Sequence, residues 1–419
     1  MLKKIILHET LLNLVSLRFL LILGLFVVMF FGGLIVNIDN YKAAQKEYTE
    51  IAAVPEHRIS YTMVIPPNPL GVFAEGTDKS SAIEVVSSIL LYDFTVKALG
   101  ESDVSLRLSA FDALDMNFVV KVILSLGAIL ITFASVSGER YHGTLKLAAV
   151  SGASRKNLIL GKLIASFICL AVPLIICTII SCLILATNNM LSTSTDIVRV
   201  CLFMLFSMVY IIFFLLVGLF ISIATKRPQE SLIIGVLCWL VLVFIVPALV
   251  PQVSKLFVDI PSARAMEQAR TYKFTARSFE NSNSPTPQDL RTQMVQMHDG
   301  FDAVWEESRN QLVHYTKINR WLALLSPSDI YNNASMEIVG NGIQNAIHAK
   351  KSILQHKSNL ATSIFVNRSR NPPGFTFERM GFVPDLMAAL ASIFFLCLET
   401  IVLLLFAYRK FMLLDLREG

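Results

Sequence analysis

Charged and reactive side chains concentrate in one short stretch, Ser137 to Lys162, which reads SGERYHGTLKLAAVSGASRKNLILGK. It carries Glu139, Arg140, Lys146, Arg155, Lys156 and Lys162, which makes it the most basic short loop of the chain. Cations of this kind pair with acids on a protein partner or with lipid phosphates. No catalytic set accompanies them. A phosphate-cradling P-loop needs G-x-x-x-x-G-K-[ST]. Here Gly161-Lys162 is followed by Leu163, and no glycine stands five residues before Gly161. His57, His298, His314, His348 and His356 lie in polar segments without H-E-x-x-H spacing, even where Glu306, Glu307 and His314 share an expected helix. No G-x-S-x-G elbow occurs. The expectation is no catalytic residue and no metal site. One further acid stands out: Glu399 falls inside an apolar run. A carboxylate at membrane depth is costly and by default marks function. The plainer reading is a side chain that snorkels or pairs with Arg409.

The elements that must position these residues are apolar runs. The chain has 419 residues, 54% hydrophobic and 16% charged, against about 25% charged in soluble domains. Runs of about 20 apolar residues are long enough to cross a bilayer as helices. The spans are read as 19–38, 116–136, 163–186, 200–224, 231–250 and 384–408, with Pro247 and Pro251 closing the fifth. Residues 1–18 form a tail or an interfacial helix, with Leu2, Ile5, Ile6, Leu12 and Val15 roughly on one face. Residues 39–115 and 252–383 are two large polar insertions. The expected fold class is an all-α integral membrane protein with six transmembrane helices and two mainly helical extracytoplasmic insertions. In the first insertion, 81–99 reads as strand or helix, and the cluster Pro66-Pro67-Asn68-Pro69 reads as a rigid surface loop. In the second, Ser326-Pro327-Ser328-Asp329 caps a helix that breaks near Gly340 to Gly342.

Composition removes other classes. The net charge of +5 is not gathered in one stripe with aromatics, so no nucleic-acid partner is expected. All six cysteines fall in the apolar runs, so the polar insertions have no disulfide framework. Lys3, Lys4, Arg18, the loop cations, Lys226, Arg227, Arg409, Lys410 and Arg417 all fall on one side of a six-span arrangement. The positive-inside rule makes that side cytoplasmic, with the tail 409–419 also inside. The loop 137–162 is then cytoplasmic, and its composition alone also fits a plain solvated loop. Ser151-Gly152-Ala153-Ser154 breaks it, and Ser154 is placed to cap the next helix.

The order of residues in the loop is more specific than its charge. Glu139, then Gly143-Thr144-Leu145, then Ser151-Gly152-Ala153-Ser154-Arg155, then Gly161-Lys162 resembles the signature E…GTL…S-x-x-SR…GK. That signature belongs to membrane subunits of ABC transporters of the type-2 export family. The large insertions, and the segment from Pro66 to Gly76, are similar to a bacterial subgroup of these permeases. The resemblance implies that the loop forms a coupling helix docking on a separate ATPase. Glu139, Gly143, Thr144, Leu145, Ser151, Arg155, Gly161 and Lys162 are then its coupling residues. It further implies an ATP-driven exporter in the bacterial inner membrane, with a second copy or a related permease as partner. This chain would bind no cofactor, ATP and Mg²⁺ being held by the ATPase. A second reading is a membrane-anchored sensor, scaffold or mechanotransmission subunit acting on an envelope partner without moving substrate.

Overall fold

A computed structural model describes residues 2–53, 60–75, 83–88, 93–98, 114–144, 154–191, 193–257, 314–315, 317–361, 363 and 374–413. Among them, six helices are long and apolar enough to cross a membrane. These are α2 (Leu17–Ala52), α3 (Met116–Tyr141), α4 (Arg155–Thr187), α5 (Ser194–Ala224), α6 (Pro228–Phe257) and α9 (Phe382–Leu413). The helical membrane class expected from composition is therefore observed. Further helices include α1 (Leu2–Val15), α7 (Pro327–Val339) and α8 (Ile343–Ala361).

Short polar side chains start the helices. Ser16 caps α2 and Ser154 caps α4, each accepting an N–H from the first turn at 3.3 Å. Thr193 and Asp196 form a reciprocal capping box on α5. At 36 residues α2 is about 54 Å long, well beyond a hydrocarbon core of about 30 Å, so it continues out of the apolar layer. The bundle core is aromatic, with Phe26, Phe203, Tyr210 and Phe214 fully buried. Helices α3 and α5 approach closely at Gly218, where a Cβ would stand 2.1 Å from Thr132 Oγ1. A small residue at such a contact is the usual device of packed membrane helices.

Helix α6 does not stop at its prolines. It runs through Pro247 and Pro251 to Phe257, because a π turn at Val241–Ile245 shifts its register. Val246 N–H donates to Val241 O in that turn. The Leu242 carbonyl would next look to residue 247, a proline with no N–H. Its partner comes instead from another element: Ser328 Oγ donates to Leu242 O at 2.9 Å.

That contact shows where α7 lies. The whole of 252–383 reads in sequence as an insertion outside the membrane, yet α7 is seated inside the bundle. Tyr331 stacks on Tyr210, halfway along α5, with ring centroids 4.3 Å apart. Its hydroxyl lies 2.8 Å from Ser207 Oγ, and Asn117 Nδ2 donates to Asn332 Oδ1 at 2.6 Å. Helix α7 is packed within the bundle, and its capped start, at Ser326, lies level with the middle of α6. Hydropathy misses it because PSDIYNNASMEIV is polar. Such a sequence is tolerated at depth only when protein surrounds it.

The first insertion departs from the mainly helical expectation. Strands β1 (Ser60–Ile65), β2 (Ile83–Ser88) and β3 (Asp93–Ala98) form an antiparallel sheet in that order, with Met63 opposite Val85 and Val85 opposite Val96. The reason lies in composition: β-branched and aromatic residues fill these six-residue runs, and they fit a pleated surface better than a helix. Nor is the proline cluster a surface loop. Leu70, Val72 and Phe73 are buried, and Phe73 meets Phe203 of α5 at 6.1 Å.

Candidate functional site

The loop between α3 and α4 is held at its base by one lysine. Lys162 stands two turns into α4 and is only 4% exposed. Its Nζ donates to Glu139 Oε1 at 2.7 Å and to Glu9 Oε1 at 2.6 Å. Three helices therefore meet at one charge: α1 through Glu9, the tail of α3 through Glu139, and α4. The second oxygen of Glu139 is buried and without a partner among the described residues. A cation so enclosed is tolerable because both acids face it.

The neighbours of Lys162 make this junction possible. Helix α1 packs along α4 with Leu2, Ile5 and Glu9 turned inward. Leu12 and Val15, on the same apolar face in sequence, are exposed. Gly161 lets α1 come close, since a Cβ there would stand 2.7 Å from Ile5 Cγ2. Gly143 ends the tail of α3 at φ +72°, a conformation that favours glycine. Thr144 Oγ1 donates to Glu139 O at 3.3 Å. Arg155 Nη1 donates to Met412 O at 2.8 Å, which ties the start of α4 to the end of α9. Leu145 and Ser151 lie outside the described residues.

Just above the junction α3 loses its regular ladder at 133–136. Neighbouring helices supply the missing bonds. Ser222 Oγ of α5 accepts N–H from both Val136 and Ser137 at 3.0 Å. Ser231 Oγ of α6 donates to Phe133 O at 2.7 Å. The segment leading into the loop is thus a joint, bonded sideways to α5 and α6.

Glu399 is not part of this site. Helix α9 extends 14 residues beyond it, about 21 Å, so it stands at the middle of the helix rather than near its end. Arg409 is ten residues on, about 15 Å along the axis, and does not pair with it. Glu399 Oε2 is buried without a partner among the described residues.

The opposite end of the bundle carries a second charged cluster. Arg199 at the start of α5 donates to Asp385 Oδ2 at 2.7 Å and to Ile338 O at 2.8 Å. Asn345 of α8 donates to Asp385 Oδ1 at 2.7 Å. Asn68, from the proline cluster, donates to Asn341 Oδ1 at 2.6 Å and to Val339 O at 3.1 Å. Asn341 in turn donates to Ala74 O at 2.9 Å. These bonds converge on the turn between α7 and α8, where Gly340 takes φ +84°.

A family model described as ABC-2 family transporter protein matches residues 4–416. The chain belongs to the ABC-2 transporter family. It is the membrane, permease-type subunit of an ABC transporter, a class that works with an ATPase partner. A comparison with curated proteins finds no match. Within this permease, Glu139, Arg155, Gly161 and Lys162 all converge on the base of one loop. Sequence reasoning missed Glu9, although a lone acid on the inward side of α1 was a usable signal. It also missed Arg199 and Asp385. Each sits at the mouth of an apolar run and looks like an ordinary boundary charge until its partner, 186 residues away, is known.

Proposed function

We propose that this permease is the transmembrane subunit of an ATP-driven exporter, with loop 137–162 seated on a separate ATPase. The observation that carries the reading is the shared Lys162, which makes α1, α3 and α4 move as one body with the base of the loop. A push on the loop then reaches α5 and α6 through the Ser222 and Ser231 bonds to the joint in α3. Coupling of this kind needs a contiguous packed element with two arrangements. Glu139, Gly143, Thr144, Leu145, Ser151, Arg155, Gly161 and Lys162 form the docking element. Both termini and the loop lie in the cytoplasm, and the two insertions face outward from a bacterial inner membrane. The chain itself binds no cofactor; ATP and Mg²⁺ are held by the ATPase. A second permease copy, or a related one, completes the path.

The test is a pull-down of the solubilised chain from its native membrane, with mass spectrometry for a P-loop protein. A stoichiometric ATPase, whose turnover the permease stimulates, is the expected result. Charge reversal at Arg155 should abolish that stimulation while membrane insertion persists. No ATPase in the pull-down, or unchanged stimulation, overturns the reading.

One observation favours a second reading. The insertions are knitted to the bundle by the Asn68–Asn341 bonds, which suits a subunit that transmits movement to an envelope partner without carrying substrate. ATP turnover that responds to an added envelope protein but to no small molecule or peptide would select it.

A further inference from the structure

The turn between α7 and α8 contains an acid that the coupling reading does not use. Glu337, in the last turn of α7, is 3% exposed. Its carboxyl rests on the bare Cα of Gly342, where a Cβ would stand 2.1 Å from Glu337 Oε2. Oε1 accepts a long 3.4 Å bond from Gln344 N–H at the start of α8. Oε2 is buried without a partner among the described residues. A carboxylate in such a place keeps an unpaid desolvation cost, whereas a neutral carboxyl does not.

The groups around it leave the balance close. Arg320, from the helical stretch 317–323, and the backbone N–H groups of Gln344 and Ile343 favour ionisation, and Asp385 of α9 opposes it. Arg320 is itself bonded to Ala388 O. Arg199 of α5 is spent on Asp385 and on the carbonyl of Ile338, next to Glu337. Arg379, from 374–380, acts on Asp385 and bonds to Pro66 O. On α8, His348 bonds to Glu378 O. On α3, Lys121 acts on Asp329, two turns back along α7. Burial wins, and holds the Glu337 carboxyl up at about 7.

We propose that Glu337 is a proton-binding site that latches the α7–α8 turn: the neutral carboxyl keeps the turn closed on Gly342, and ionisation drives it open. Apart from the Arg199–Asp385 pair, the bonds of the cluster at this end fall on the turn and its flanks. Ile338 O holds Arg199, Val339 O and Asn341 hold Asn68, and Asn345 holds Asp385. Opening it therefore loosens the first insertion, α5 and α9 together. It also frees the far end of the helix that seats Tyr331 on Tyr210 in the bundle core. The ligand is a proton from the solution bathing the insertions.

The sign follows from linkage. The folded carboxyl titrates at about 7, above its ordinary value of 4.5. Its contribution is fully present below about 4.5 and is lost as pH rises through about 7. The experiment is thermal unfolding of the full chain in lipid nanodiscs, scanned from about pH 5 to about pH 9. The melting temperature of the wild type should fall as pH rises through about 7, and E337Q should make that fall clearly smaller, the remainder coming from other buried carboxyls such as Asp329. R320Q, which takes away the cation favouring ionisation, should move the midpoint of the fall upward. An equal fall in wild type and E337Q overturns the proposal, and so does the absence of any fall. If E337Q does not fold, the R320Q arm decides, and an unmoved midpoint overturns it. The measurement needs no ATPase, so its failure and that of the coupling reading are separable.

Discussion

The two ends of the bundle handle buried charge in opposite ways. At the loop end one lysine serves two acids, and three helices lose their independence. At the insertion end Arg199 and Asp385 close a pair, but Glu337 beside them has no ion-pair partner among the described residues; an oxygen of Glu139 is orphaned too, yet its carboxylate holds Lys162. The first arrangement resists change, because any movement separates a buried cation from both of its acids. The second is metastable, because part of its charge is held where it is not wanted. A rigid junction suits an element that must pass force on, and a poised turn suits one that must respond.

The contrast breaks most sharply at Lys162. K162M leaves Glu9 and Glu139 facing each other without a cation. Removing one partner of a buried ion pair costs about 3–5 kcal/mol, which predicts the largest loss of melting temperature among the variants considered. The triple variant K162M/E9Q/E139Q should recover most of it. If the triple variant is as unstable as K162M, the cost is lost packing rather than orphaned charge, and the comparison between the two ends loses its basis.

R199M tests the other end and should cost less, about 2–3 kcal/mol. Asp385 keeps the bond from Asn345 when its cation goes. The loss should come with faster amide exchange in 338–345, since Arg199 also holds Ile338 O. An R199M variant as damaged as K162M would show that the insertion end is no looser than the loop end.

The parts of this structure that were legible in sequence share one property: each has a local signal. Apolar runs declare the spans, and Ser154 before Arg155-Lys156 declares a cap. Gly161-Lys162 could be placed at the base of a loop because the loop itself is short. What was hidden depends on distant partners. Helix α7 is polar and reads as surface until Ser207, Asn117 and the Leu242 carbonyl stand around it. That carbonyl is open only because a π turn falls five residues before Pro247, a coincidence no periodicity reveals. Asn68 looked like a loop residue between prolines. Its partner at Asn341 is 273 residues away. Glu399 was visible as an acid in a span, but its depth depended on where α9 ends.

A smaller effect tests how the loop end connects to the rest. S222A leaves the N–H groups of Val136 and Ser137 without their acceptor in a buried joint. An unmet buried donor costs about 1–3 kcal/mol, and adjustment of the joint should keep the loss near the lower figure. The more telling readout is coupling. Stimulation of the partner ATPase should fall by more than the stability loss explains, because the path from loop to α5 passes through that hydroxyl. Stimulation that tracks stability alone would assign Ser222 to folding and leave the joint without a role in transmission.

The smallest expected effect concerns the contact between α1 and α4. G161A places a Cβ 2.7 Å from Ile5 Cγ2, so the isoleucine must turn or α1 must shift. The strained atom is the end of a side chain, and alanine favours helix over glycine by about 1 kcal/mol. The two terms nearly cancel in global stability, and a melting temperature within a few degrees of wild type is expected. The geometry of the junction should still register the change, because Glu9 lies one turn beyond Ile5 and reaches Lys162 only while α1 is seated. A label on α1 should therefore move in G161A, and G161A/I5A should bring it back. Restoration by I5A would show that the close approach at Gly161 is what positions the second acid. Failure of I5A to restore it would mean that Lys162 draws Glu9 in regardless of how the helices pack.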